Sequence, residues 1–332
     1  MCLYPKLIKN KKYLPTKKNN YNPPKMVDPR TAYITAACGK CLECRRQKQR
    51  EWLVRMSEEL RTEPNAYFMT LTISDENYEI LKNICKSEDK NTIATKAIRL
   101  MLERIRKKTG KSIKHWFITE LGHEKTERLH LHGIVWGIGT DQLIKEKWNY
   151  GITYTGNFVN EKTINYITKY MTKIDENHPE FVGKVLCSRG IGAGYIKRAD
   201  ASKHKYEKGK TIETYRLRNG AKINLPIYYR NKLFTEKERE LLFIDKIEKG
   251  FIYVLGTKVH RDDEEYYIQL LEEGRKKEAI LYGEHNQDWE QQKYINRLRK
   301  QKKKQEQELN QLETYWALER AKDYTQLETC PF

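Results

Sequence analysis

The sequence predicts an α+β fold, an antiparallel sheet with flanking helices. Three observations predict it. Residues 66–74, 113–121 and 128–137 have strand periodicity. Residues 91–110 and 161–174 have helical periodicity. The resulting order β, α, β, β, α places helices against a sheet whose last two strands are joined by the polar turn GHEKTE.

Each element has its own signal. Residues 1–37 are basic and rich in Asn and Pro and read as an arm; with the cysteine cluster that follows they make a segment 1–50. From Arg45, RRQKQREWLVRMSEEL sets Trp52, Leu53, Met56 and Leu60 at near-helical spacing, an amphipathic helix. AYFMTLTIS alternates Tyr67, Met69, Leu71 and Ile73 against Phe68, Thr70 and Thr72, a strand with one polar-leaning face. The helix 91–110 closes on Gly110 with Lys and Arg in its last turn, as the helix dipole favours. IKHWFITEL and RLHLHGIVWG follow as strands, and EKTINYITKYMTKI as a second amphipathic helix. SRGIGAGYIKR is a glycine cluster, and RNG in the following segment reads as a hairpin turn. These signals divide the chain into a core of 51–200, an accessory α/β extension of 201–283, and a charged tail of 284–332, helical or partly disordered.

Lys and Arg number 64 against 45 Asp and Glu, a formal charge of +19. Such an excess points to a polyanionic partner, and 22 Tyr with 6 Trp supply rings for stacking on unpaired bases, so nucleic acid is the first reading. No run approaches the ~20 apolar residues of a membrane span, and MCLYPKLIKNKKYLP lacks the apolar core of a secretory leader, so no membrane partner is expected. Seven cysteines, three of them (Cys38, Cys41, Cys44) within seven residues, suit reduced thiolates better than a secreted disulfide framework.

In LHLHGIVWG, strand alternation sends His130, His132, Ile134 and Trp136 to one face and Leu129, Leu131 and Val135 to the other, so the leucines face a core and both imidazoles a cleft. Imidazoles fixed on an ordered strand make a two-toothed chelate; an isolated H-x-H pair is equally explained by two hydrogen-bonded rings. Its company favours chemistry. Glu120 ends the preceding strand, and the later helix sets Tyr166 and Tyr170 four apart on one face with Lys169 and Lys173, while Ile164, Ile167 and Met171 form a separate apolar stripe.

YFMTLT, LHLHG and NYITKYMTK, in this order, resemble the three motifs of HUH endonucleases that start rolling-circle DNA replication, in their two-tyrosine branch. MCLYPKLIKN, CGKCLECRRQKQREWLVRMSEE and SRGIGAGYI resemble the replication initiators of gokushoviruses, small single-stranded-DNA phages of the microvirus family. The resemblance covers residues 1–235. It implies an HUH-like nicking and joining domain over 51–200 and a phenolate attack on a phosphodiester. A free phenol has a pKa of about 10, so the attack needs an electrophile at the phosphate. The implied electrophile is Mg²⁺ or Mn²⁺ held by His130, His132 and a polar third ligand, for which Glu120 is the candidate, with Lys169 and Lys173 steadying phosphate oxygens or the tyrosine. Two tyrosines allow nicking and then rejoining without ATP, in keeping with the lack of a G-x-x-x-x-G-K-[ST] loop, since GIGAG is not one. The implied partners are phage origin DNA, single-stranded or supercoiled, a host helicase and a host DNA polymerase, in the host bacterial cytoplasm.

C-x-x-C-x-x-C with Gly39 has the spacing of a metal knuckle, and the resemblance adds Cys2 as the fourth ligand of a structural Zn²⁺ site. A ferredoxin-type cluster would need a cysteine where Lys48 stands. Arg45, Arg46, Lys48, Arg50, Arg189, Lys197 and Arg198 are expected phosphate contacts, and glycines 190, 192 and 194 either bring backbone amides to phosphate or turn the chain. Two alternatives share parts of this pattern: a two-tyrosine transposase or plasmid initiator, and a noncatalytic zinc-containing nucleic-acid-binding protein.

Overall fold

A computed structural model describes residues 1–122, 127–156, 158–173, 175, 177–178, 181–283 and 289–328. Most of the GHEKTE turn lies outside the described residues. In chain order the first elements are β1 Lys6–Lys9, β2 Tyr33–Ala36, α1 Leu42–Thr62, β3 Ala66–Thr72, α2 Asp75–Cys85, α3 Lys90–Thr109, β4 Lys114–Leu121 and β5 Leu129–Trp136. Then come α4 Thr140–Lys147, β6 Thr153–Gly156, α5 Glu161–Lys169, β7 Val185–Cys187, β8 Thr214–Arg216, β9 Lys222–Asn224 and α6 Ile227–Leu233. The last are α7 Glu236–Glu248, β10 Phe251–Val254, β11 Thr257–His260, α8 Glu264–Tyr282 and α9 Gln291–Glu328. No described helix is long and apolar enough to cross a membrane.

The fold is a mixture of helices and antiparallel sheets. Two compact units result from the contacts: Met1–Cys44 with Lys237–Ile280 and Glu284–Phe332, and Arg45–Glu236 with Leu281–Gly283. Their boundaries differ from those drawn at residues 50, 200 and 283 from the sequence, because chain segments distant in sequence pack together.

The second unit holds a five-stranded sheet in the order β6-β3-β5-β4-β7, antiparallel throughout. Alternation gives each strand two faces. On one face Met69, Leu71, Phe117, Leu131 and Val135 pack with Ile93, Ala97, Met101 and Ile105 of α3. Asp89 caps α3 by accepting from the amides of Asn91 and Thr92, and Gly110 ends it in the left-handed conformation at φ 70°, which glycine adopts without a Cβ penalty. On the opposite face Trp116, Ile118, Ile134 and Trp136 pack with Met56 of α1 and Ile164 and Ile167 of α5. The sheet is therefore covered on both faces. The face expected to be a cleft is half core, and the histidines occupy the end that α5 leaves partly open.

Gly133, which ends the LHLHG motif, has a packing role. A Cβ there would sit 2.1 Å from the Phe117 ring and 2.6 Å from the Trp116 carbonyl, so the ring of Phe117 fills the space a side chain would need. The predicted hairpin around RNG is present as β8 and β9, closed by the Leu217 amide on the Ala221 carbonyl, with Gly220 at φ 85°. Helix α5 ends at Lys169 rather than at 174, the latter outside the described residues. Its last turn tightens: the amides of Tyr170, Met171 and Thr172 bond to the carbonyls of Ile167, Thr168 and Lys169, the three-residue spacing that closes many helix C-termini.

In the first unit β1 pairs with β2 and β10 with β11, and α9 extends over 38 residues, of which Tyr294 and Ile295 are buried. The charged tail is thus a helix as far as residue 328.

Candidate active site and cysteine cluster

The β3–β5 register places Thr72 opposite His130 and Thr70 opposite His132, and β4 sets Glu120 opposite His130. Each histidine is held by its neighbour. Thr72 Oγ1 lies 2.9 Å from His130 Nδ1 and Thr70 Oγ1 lies 3.0 Å from His132 Nδ1. Fixing Nδ1 orients each ring and leaves Nε2 facing away from β3, the arrangement that metal-ligating histidines use. His132 Nε2 is 2.6 Å from one oxygen of Glu120, and the Lys173 ammonium pairs with the other.

Helix α5 brings the phenols over this strand surface. The Tyr170 ring stacks on His132 at 4.6 Å and 15°, and the Tyr166 and Tyr170 hydroxyls are 2.7 Å apart, their rings nearly perpendicular. Ending the helix at Lys169 does not separate them, since Tyr170 keeps helical backbone angles of −58° and −21°. Lys173 Nζ also sits 5.4 Å from the Tyr170 ring centre.

Electrostatics follow from this crowding. Burial, then the nearby His132, pushes His130 below the ordinary imidazole range, so it is held neutral. Burial pulls the Glu120 carboxyl up, but hydrogen bonds from His132 and Lys173 outweigh it, and the net shift is downward. Burial, the hydrogen bond to Tyr166 and the charge of Glu120 raise the Tyr170 phenol.

The structure thus brings together His130, His132, Glu120, Tyr166, Tyr170 and Lys173. Lys169 does not join them: it is exposed on α5. Sequence reasoning missed Thr70 and Thr72 as ring-positioning groups, although the polar face of β3 was the available signal. It also missed Phe68, 6.4 Å from the Tyr166 ring and 6.2 Å from His132, and Tyr154, 63% exposed and opposite Thr70 in register. A small cleft runs alongside, lined by Thr119, Glu120, Tyr170, Lys173 and Gly183 among others.

The residues fit a divalent cation in donor type: two oriented imidazoles and an ionised carboxylate. They are not drawn together as a finished cage. Among the described residues, the one group of three or more such ligands with all donor atoms within 4.8 Å is Cys2, Cys38, Cys41 and Cys44.

Those four thiols could bind a metal such as zinc. Cys38 Sγ and Cys44 Sγ are 3.9 Å apart, as are Cys41 Sγ and Cys2 Sγ. Four sulfurs about 2.3 Å from a tetrahedral zinc are separated by about 3.8 Å. Backbone amides converge on the sulfurs: Cys38 on Cys2 at 3.2 Å, Cys41 on Cys38 at 3.3 Å and Leu3 on Cys41 at 3.4 Å. Hydrogen bonds from Cys2, Cys41 and Cys44 hold the Cys38 thiol well below its ordinary range, favouring the thiolate that a metal needs.

The expected phosphate contacts divide. Arg46, Lys48 and Arg50 are exposed along α1, and Arg189 and Lys197 are exposed near the glycines. Arg45 is instead buried, its guanidinium 4.4 Å over the Tyr282 ring. Arg198 is committed to the buried Glu58 at 2.8 Å and to Asp200 at 3.0 Å. The glycine cluster is a packing device rather than a phosphate cradle. The Gly192 amide donates to Glu59 at 2.7 Å, its carbonyl accepts from Tyr229, and a Cβ at Gly192 would meet the Arg55 carbonyl at 2.5 Å. Gly194 likewise abuts Thr62, where a Cβ would lie 2.7 Å from the hydroxyl.

Residues 66–175, which contain every group of the histidine–tyrosine site, match the Replication-associated protein ORF2 family model. The chain is similar to the Replication-associated protein ORF2 of Spiroplasma virus 4, with 27% identity over 256 residues, 73% of each chain. No solved structure matches it.

Proposed function

We propose that the protein initiates rolling-circle replication of a small single-stranded-DNA phage by metal-dependent, site-specific nicking and joining of DNA through a 5′-phosphotyrosine intermediate, on an HUH-like fold. The observation that carries this reading is the pair of tyrosine hydroxyls 2.7 Å apart, with Tyr170 stacked on a histidine that a strand neighbour holds in orientation. Two phenols at one strand-borne imidazole pair suit two successive transfers at one centre. The similarity to replication-associated proteins supports the setting.

In the first transfer a tyrosine oxygen attacks phosphorus, the P–O3′ bond breaks, and the 3′ oxygen leaves as a hydroxyl carrying a proton. The 5′ phosphate stays on the tyrosine. In the second, a returning 3′-hydroxyl attacks that phosphotyrosine and the phenol is released, so the ester is conserved and ATP is not needed. His130, His132 and Glu120 would hold a divalent cation, Mg²⁺ or Mn²⁺, which when bound polarises the scissile phosphate. Lys173, released from Glu120, is placed to face phosphate oxygens. Phe68 and Tyr154 offer rings on which unpaired bases stack. Strand separation and synthesis fall to a host helicase and a host DNA polymerase in the bacterial cytoplasm.

The test is incubation with labelled single-stranded fragments of the phage genome and Mn²⁺, with and without EDTA. A denaturation-resistant adduct that needs the ion and maps to Tyr166 or Tyr170 is expected. An adduct surviving in the Tyr166→Phe/Tyr170→Phe variant would refute the nucleophiles. Binding without any adduct would leave a noncatalytic DNA-binding protein.

A further inference from the structure

The best-formed cavity of the second unit lies away from the tyrosines. It has a volume of about 330 Å³ and is lined by Ile84 and Cys85 of α2, by Thr92, Thr95, Lys96 and Arg99 of α3, and by Lys184 ahead of β7. That volume is at the lower end of ordinary small-ligand pockets, about 300–1,000 Å³, and suits a single nucleotide.

Three of the seven lining residues are cations and none is an acid. Residues 92, 95, 96 and 99 fall at helical spacing on one face of α3, opposite the buried Ala94, Ala97, Ile98 and Met101. The cationic face is thus displayed while the other face packs on the sheet. The acid that feels Lys184 is Asp89, and its carboxylate is occupied by the amides of Asn91 and Thr92 and by the Thr92 hydroxyl. Ile84, 52% exposed, adds an apolar surface at the rim.

This cavity is tied to the active site. The Thr119 hydroxyl donates to Asn91 Oδ1 at 2.6 Å and accepts from the Lys184 amide at 2.8 Å, and Asn91 Nδ2 donates to the Val182 carbonyl at 3.0 Å. Thr119 adjoins Glu120. Gly183 lines the cleft beside Glu120 and Tyr170, while the next residue, Lys184, lines the cationic cavity. A strand leaving the tyrosines over this edge meets the cavity next.

We propose that the Lys96–Arg99–Lys184 cavity is a second DNA-binding subsite, holding a phosphodiester of the single strand that flanks the reacting phosphate. The subsite rests on the nicking function proposed above for its orientation, but its binding is measurable without cleavage. The fixed Asn91–Thr119–Lys184 connection would then set the distance between the held phosphate and the cut one.

The test compares the full chain with the Lys96→Gln/Arg99→Gln/Lys184→Gln variant, using short and long labelled oligo(dT), over a range of salt. Each phosphate contact on a single strand contributes about 0.7 to the log–log salt slope, so the variant should lose about 2 from the slope on the long oligonucleotide. Its binding to the short one should change much less. Arg99→Glu alone, with an unchanged circular dichroism spectrum and melting temperature, should weaken long-strand binding in the same direction. Equal slopes and affinities in variant and parent would overturn the subsite. So would thymidine 5′-monophosphate binding that the triple substitution removes while long-strand binding is unchanged, which would assign the cavity to a free nucleotide. Failure of adduct formation with these binding differences intact would sink the nicking function and not the subsite.

Discussion

The cysteine cluster and the histidine–tyrosine site both gather metal-binding side chains, but they hold them differently. The four thiols converge on one another, with backbone amides turned onto the sulfurs, and three of the four are buried. In the other site the polar groups are satisfied by partners that a ligand can displace: Glu120 by Lys173 and His132, Tyr166 by Tyr170. A site that serves folding gains by being closed. A site that must admit a phosphodiester and an ion needs groups that are oriented yet exchangeable, and here the threonines orient while Glu120 and Lys173 exchange.

The largest effect that could break this contrast is expected at Cys41. Structural zinc contributes an apparent binding free energy of about 10–16 kcal/mol in zinc-finger peptides, so Cys41→Ser should strip tightly held zinc and unfold part of the first unit. Metal analysis and thermal melting measure both, and a full equivalent of zinc retained by the variant would remove the closed-site reading. Brief EDTA treatment should abolish adduct formation, with recovery on adding Mn²⁺, while that zinc stays in place; loss of both metals together would erase the distinction.

Next in size is Gly133→Ala. Overpacking costs about 1–3 kcal/mol, and here part of the obstacle is the Trp116 carbonyl, which cannot rotate away. Denaturant unfolding should place the variant near the upper end of that range. An unchanged midpoint would mean that β5 can shift against β4, and that the histidines are less rigidly set than the register implies.

Thr70→Val/Thr72→Val sharpens the comparison at the open site. Loss of such ring-orienting partners costs about 10–100-fold in metal affinity, so the Mn²⁺ concentration for half-maximal adduct should rise by that factor while zinc content is unchanged. An unaltered Mn²⁺ requirement would show that the strand alone fixes the rings.

The smallest effect concerns His115, buried on β4, its Nδ1 2.9 Å from Ser188 Oγ. Burial lowers its pKa in the folded state. The unfolded chain therefore binds a proton more readily, at about pH 6.5, and stability present above that pH is lost as the pH falls toward the folded value. His115→Gln should flatten the decline in melting temperature below about pH 6.5, and an identical pH profile would dismiss this contribution.

Much of the second unit was legible from pattern. Strand alternation in YFMTLT and LHLHG, the glycine closing α3 and the turn at RNG are local signals, and β3, α3, β4, β5, α5 and the β8–β9 hairpin lie where those signals put them. The site was legible as far as residue types went: the histidines, Glu120 and both tyrosines stood out by spacing. Less legible was what those residues touch. Lys169 and Lys173 are equivalent in sequence, yet only Lys173 reaches Glu120, because the chain turns after α5.

The sequence by itself determined which segments become strands and helices, the strongly cationic character, and the clustering of Cys38, Cys41 and Cys44, since each depends on neighbours within a few residues. Only the tertiary structure decided that Thr70 and Thr72 hold the histidines, that Arg45, Arg198 and the glycines serve packing rather than phosphate, and that Lys96, Arg99 and Lys184 share one cavity. Strand register and helix docking join residues dozens of positions apart, and side-chain periodicity within each segment fixes the face it presents but not the partner it meets.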